Sequence, residues 1–262
     1  GDEGATLFLA QDDEAESAAK ESRPLVSSRL HPQAPSRELP FSSMPEVLSL
    51  CKGPKEAYEA FADKGAELSR KSVPKIFHQS VYAGIYIGFG GMLSLTVAGG
   101  IADASKNNPT LQSFVFAALF PVNLLLILLT GGVLMTGASA TVPAAVLEKK
   151  AHWISIPKIV AISWVGNLVG AVIFALLVHY CDMNTGATAE LAKKTVIKKC
   201  SKDFMQTFIK GIGCNWLVCM AVFLCGQAQD MAGKMVAIWF PISCFVAIGF
   251  EHIPANFFIL TM

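Results

Sequence analysis

Charge is what this sequence has least of. Charged residues make up 16% of its 262 residues against 53% hydrophobic ones, well below the roughly quarter-charged composition of an average soluble domain. A water-soluble globule is excluded, and a bilayer is the solvent that fits. The scarcity is uneven: residues 1–75 hold most of the acids, while 107–147, 159–181 and 211–229 carry no Asp, Glu, Lys or Arg. A net charge of +1 gives no reason to expect nucleic acid as a partner. No secretory signal precedes the acidic start, with Asp2, Glu3, Asp12, Asp13 and Glu14. Also lacking are Cys-x-x-Cys pairs, metal-ligand spacings, a nucleotide loop and a catalytic dyad, so an enzyme, a cofactor and a metal all go without support. Cys214, Cys219, Cys225 and Cys244 lie in apolar segments and read as small buried hydrophobes.

What is present divides into three regions. Residues 1–45 mix Ser, Pro, Glu, Ala and Arg with too few apolar side chains to offset the entropy of ordering, and read as a disordered tail. In 46–75, Val47, Leu48, Leu50, Tyr58, Phe61 and Leu68 recur at roughly helical spacing between Lys and Glu, the pattern of amphipathic helices at a membrane face. Residues 76–262 form the transmembrane domain. Its five hydrophobic spans run from Phe77 to Ile101, Leu111 to Val146, Ile156 to Cys181, Phe204 to Cys225 and Met235 to Met262, each at or above the roughly 20 residues that cross a bilayer core.

Spans two and five are too long for one crossing, and both are interrupted. The second breaks over Thr130 to Pro143, through Thr130-Gly131-Gly132, and the fifth over Gly249 to Pro254. Two broken spans three apart are the mark of an inverted repeat with a midplane site. An odd count then implies a missing sixth span after Met262, with both ends of the chain cut. Inside the second break sit Glu251 and His252, and ionisable groups at that depth face a cavity or a permeation path. Glu251 is expected to brace the break by accepting backbone N–H bonds. Stripes of Gly84, Gly88 and Gly91, of Gly166 and Gly170, and of Gly211 and Gly213 predict close helix packing. Lys149, Lys150 and Lys158 place the turn after span two, and with it the amino terminus, inside. The loop before span four, with Lys193, Lys194, Lys198, Lys199 and Lys202, is then outside and reads as a funnel for anions. Lys210, within span four, is expected to snorkel or to face a subunit seam.

Several strings coincide in order: Thr130-Gly131-Gly132-Val133-Leu134-Met135-Thr136, Trp164-Val165-Gly166-Asn167-Leu168-Val169-Gly170-Ala171, Cys214-Asn215-Trp216-Leu217-Val218-Cys219, and Gly249-Phe250-Glu251-His252 followed by Ala255-Asn256. With these strings the chain resembles the formate/nitrite transporter family over about residues 46 to 262. The resemblance implies an all-α membrane protein with an aquaporin-like inverted repeat, five of an expected six transmembrane helices, a pore in each protomer and a homopentamer. It also implies a pore histidine at His252 with Thr136 as its partner, a pore asparagine at Asn215, and Glu251 and Asn256 beside them. Constrictions fall on Phe120 and Phe245 and on Leu124, Leu134 and Met135, and a vestibule lysine falls on Lys199, with Lys202 as its alternate. Val133 and Met135 depart from the family, which often has an acid and an aromatic there.

The implied activity is passage of small monovalent anions such as formate, nitrite, lactate or acetate, with a proton. Residue chemistry agrees, because an apolar pore resists a bare anion far more than the neutral acid, and histidine titrates near pH 6.5. The partners are then the anion, protons and lipid, and the location is a plasma membrane or an organelle envelope. An aquaporin-like neutral-solute channel is the alternative, although twin Asn-Pro-Ala boxes are absent; a membrane receptor or scaffold is another.

Overall fold

Proline opens the first two helices of the computed structural model, which describes residues 49–108 and 110–262. Pro54 starts α1 (Pro54–Arg70) and Pro74 stands at the second position of α2 (Val73–Gly100), where a missing N–H costs nothing. Then come α3 (Leu111–Leu119), α4 (Val122–Thr130), α5 (Met135–Leu147), α6 (Ser155–Tyr180), α7 (Gly186–Cys200), α8 (Phe204–Gln227), α9 (Met231–Ala247) and α10 (Ile253–Thr261). The tail expected over 1–45 and the start of the amphipathic region up to residue 48 lie outside the described residues.

Among the described residues, four stretches are long and apolar enough to cross a membrane: Val73–Gly100, Leu111–Thr130, Ser155–Tyr180 and Phe204–Gln227. At 1.5 Å per residue the shortest of them reaches about 30 Å, a full hydrocarbon core. Two shorter apolar helices, Met135–Leu147 and Met231–Ala247, complete the set. The span expected from Leu111 to Val146 is therefore one full-length stretch plus the separate helix α5. Its break is narrower than the sequence suggested, since Pro143 lies inside α5. A milder interruption at Phe120-Pro121 separates α3 from α4, because Pro121 has no N–H to continue the ladder.

The packing axis is α2 against α6, where a Cβ at Gly84 would overlap the Asn167 carbonyl and one at Gly170 the Val81 carbonyl. Backbone meets backbone there, so larger side chains are excluded. Gly211, grouped with these in the sequence, has open space around it and carries no such contact. A buried cluster including Ile87, Leu95, Phe120, Leu124, Phe174, Phe245 and Phe258 fills the space between the helices. Cys214 and Cys225 are buried as expected, whereas Cys219 is half-buried and Cys244 exposed.

Small residues of α1, Ala62, Gly65 and Ala66, are buried, and a Cβ at Gly65 would overlap the Thr141 carbonyl of α5. An ion pair of 2.6 Å between Lys150 and Asp63 ties α1 to the turn after α5, and this hydrogen bond raises the lysine pKa above its ordinary value. At the other end of α1, Lys52 donates its N–H to Gln227 O at 3.0 Å and Gln229 donates to Leu50 O at 3.1 Å. The basic segment before α8, read as a loop, is the helix α7 instead. It docks on α2 where Gly99 leaves room for the Ala187 carbonyl.

Candidate functional site

Two helix interruptions build the site, and they share one local design. After α4, Gly131 takes φ 80°, Gly132 donates to Ile127 O at 2.8 Å, and extended Leu134 starts α5 with Ala138 donating to its carbonyl at 2.9 Å. After α9, Gly249 takes φ 78°, Phe250 donates to Phe245 O at 3.0 Å, and extended His252 starts α10 with Asn256 donating to its carbonyl at 2.9 Å. A left-handed residue is what closes a helix this way, and glycine adopts it without a Cβ clash.

The two restarting helices meet tip to tip. Thr136, second residue of α5, is fully buried, and its Oγ1 lies 3.2 Å from Nε2 of His252, the residue that caps α10. Each tip carries unpaired N–H groups and a partial positive charge. His252 is 4% exposed, and its Nδ1 is buried with no hydrogen-bond partner in the protein. One imidazole nitrogen is thus engaged by a hydroxyl, and the other is open to a further donor or acceptor.

Above this pair lies a cavity of about 450 Å³ whose lining includes Phe120, Phe245, His252, Glu251 and five lysines, Lys194, Lys198, Lys199, Lys202 and Lys210. The Phe120 and Phe245 rings meet edge to face with centroids 6.4 Å apart, and Phe245 lies 5.5 Å from the His252 ring. Leu124 and Leu134 are buried in the same apolar cluster, while Met135 is half-buried.

Glu251 is 5% exposed, and its partners correct the expectation of backbone N–H donors. Lys199 Nζ donates to Oε2 at 2.7 Å, Asn256 Nδ2 to the same oxygen at 3.1 Å, and Lys202 Nζ pairs with Oε1. The two vestibule lysines therefore do not stand as free charges: both are held by one buried carboxylate. Lys210, expected to snorkel or to face a subunit seam, lines this cavity. Asn215 is bonded within its own helix: its Nδ2 donates to Gly211 O at 2.8 Å, and no hydrogen bond links it to Thr136 or His252; Cys219, one turn on, lies 3.8 Å from the Thr136 carbonyl instead.

Asn167 was quoted in the sequence only as part of a string, yet its side chain anchors the first break. Fully buried on α6, it accepts the Met135 N–H at 2.9 Å and donates to Ser80 O at 2.9 Å and Val133 O at 3.0 Å. Gln79, on α2, accepts the Val133 N–H on its backbone carbonyl at 3.1 Å. These bonds hold the break at Val133 and Met135. Asn123 is a second such amide, buried and bonded to Phe120 O at 2.6 Å at the α3–α4 interruption. The signal that could have found both was an uncharged amide in an apolar span.

The comparisons with known proteins agree with this architecture. Residues 55–262 match the family model described as formate/nitrite transporter. A probable formate transporter of Methanothermobacter thermautotrophicus is 40% identical over 215 residues, 74% of this chain and 77% of that protein. Among solved structures, an ion channel of the same family superposes with a TM-score of 0.72 at 26% identity, covering 79% of this chain and 82% of that one. A pentameric formate channel with formate bound gives 0.64 at 27%, covering 72% and 74%. That family consists of channels and transporters and not of enzymes. By its match over most of its length, its relatives and its fold, the chain belongs to the formate/nitrite transporter family of small-anion transport proteins.

Proposed function

We propose that this protein passes small monovalent anions, formate among them, together with a proton, with His252 and Thr136 as the midpoint of the path. The observation that carries this reading is the meeting of Thr136 and His252 at two helix tips, at the foot of a lysine-lined cavity. An anion enters the cavity by attraction to the lysines. Crossing between Phe120 and Phe245 as a bare charge is costly, and as a neutral acid far less so. The helix tips stabilise the anion that arrives. The imidazole, reprotonated from the proton-rich side, gives up a proton to form the neutral acid as the anion reaches it, with Thr136 orienting Nε2. Leu124, Leu134 and Met135 form the second apolar restriction. Lys199 and Lys202 belong to the vestibule, held in place by Glu251, and Asn256 holds Glu251 in turn. Asn215, bonded within its own helix to Gly211 O, stands beside the path and not on the Thr136–His252 pair.

The repeated break geometry supports an inverted-repeat channel with one pore per protomer, and the pentameric relative supports a homopentamer in a plasma membrane or an organelle envelope. A neutral-solute channel would have no use for the five lysines at the cavity mouth. The test is radiolabelled formate uptake into proteoliposomes with and without an inward proton gradient. Wild-type uptake is expected to rise with the gradient, and His252→Phe, which fills the same space without a titratable group, to abolish that rise. Full gradient-driven uptake by His252→Phe would overturn the assignment.

A further inference from the structure

The cavity holds more positive charge, and more room, than a monovalent substrate uses. Five lysines line it, and among the described residues Glu251 is the only carboxylate in the lining. Lys199 and Lys202 share that carboxylate, while Lys194, Lys198 and Lys210 form no ion pair among the described residues. Gln112, Ser113 and Thr195 add neutral donors to the same walls. In about 450 Å³ an anion the size of formate fills a small part of the space and offsets one charge. Like charges gathered in a half-enclosed volume repel one another, and a single ligand carrying several negative oxygens relieves that repulsion where a monovalent ion cannot.

We propose that this cavity is a binding site for a compact multivalent oxyanion of the pyrophosphate type, which seats among Lys194, Lys198 and Lys210 and blocks entry to the path. The inference rests on the proposed transport reading only for its consequence, the block; binding itself stands on the cavity. Such an ion cannot continue inward. Its charges are too many to be neutralised by one shared proton, and the apolar Phe120 and Phe245 rings in the cavity wall disfavour the passage of a charged species. It is therefore held as a plug and not carried.

Two measurements test this on the full chain in magnesium-free buffer. In the first, isothermal titration calorimetry of detergent-solubilised protein with inorganic pyrophosphate is compared between wild type and the triple variant Lys194→Gln, Lys198→Gln, Lys210→Gln. Saturable binding is expected, weakened by about tenfold or more in the variant. In the second, formate uptake into proteoliposomes is titrated with pyrophosphate or with potassium chloride at matched ionic strength. Pyrophosphate is expected to inhibit well below the concentration at which chloride does, and the triple variant to need about tenfold more of it. Equal inhibition by chloride would reduce the effect to screening and overturn the proposal. So would an unchanged affinity in the triple variant, or inhibition by vesicles carrying a bisphosphorylated inositol lipid with none by free pyrophosphate. If no formate flux is seen, the transport reading fails, and calorimetry still decides the binding site.

Discussion

Replacing Asn167 by leucine keeps the branched shape of the side chain, at a somewhat larger volume, and removes its hydrogen bonds. The amide makes three, from the Met135 N–H at 2.9 Å and to the Ser80 and Val133 carbonyls at 2.9 and 3.0 Å. In Asn167→Leu the Met135 N–H and the Val133 carbonyl lose that partner inside the protein, at about 1–3 kcal/mol each. A total of about 2–6 kcal/mol is large beside the 5–15 kcal/mol of a typical fold. The loss falls on the four residues between α4 and α5, so the break relaxes before the rest of the helices do. Thr136 follows Met135 directly, and its 3.2 Å contact with His252 depends on that break. Even the low end of the range shifts the equilibrium between ordered and open break by about thirtyfold. Thermal unfolding followed by intrinsic fluorescence should show a clear drop in midpoint, and formate uptake should fall by about tenfold or more while protein still reaches the membrane. Asn167→Asp keeps the acceptor for Met135 but turns a carboxylate oxygen toward two carbonyls, and should be no better than leucine. A leucine variant with wild-type midpoint and uptake would refute the anchoring role.

Gly170→Val should prevent stable folding, because a side chain there overlaps the Val81 carbonyl at the α2–α6 contact; recovery of monodisperse protein by size-exclusion would contradict this, and Gly211→Ala, with open space around it, is the tolerated control. Glu251→Gln leaves Lys199 and Lys202 without their carboxylate and should destabilise by about 3–5 kcal/mol, the usual result of removing one partner from a buried pair, read as a lowered unfolding midpoint. Phe245→Ala should open the restriction beside His252 and raise uptake of the bulkier lactate relative to formate, measured as a ratio in the same vesicles.

Much of the fold was legible in the residues because its causes are local. Apolar runs free of charge set the long helices, and Thr130-Gly131-Gly132 and Gly249-Phe250-Glu251-His252 marked both interruptions, since a helix closed by a left-handed residue favours glycine at that position. His252 and Glu251 stood out because nothing else ionisable shares their stretch of chain. Partnership is not legible in local pattern: only the family resemblance implied Thr136 beside His252, and the other pairs came from the tertiary structure. Thr136 and His252 are 116 residues apart, Lys199 and Glu251 52, and Asn167 and Val133 34, and periodicities of 2 or 3.6 residues carry no information over such separations. The same limit hides the partners of Glu251, whose lysines lie on another element, and it leaves unseen that a carbonyl four residues back satisfies the amide nitrogen of Asn215. Lysines read as a free funnel became, on folding, two that hold a buried carboxylate and three that line the cavity without one.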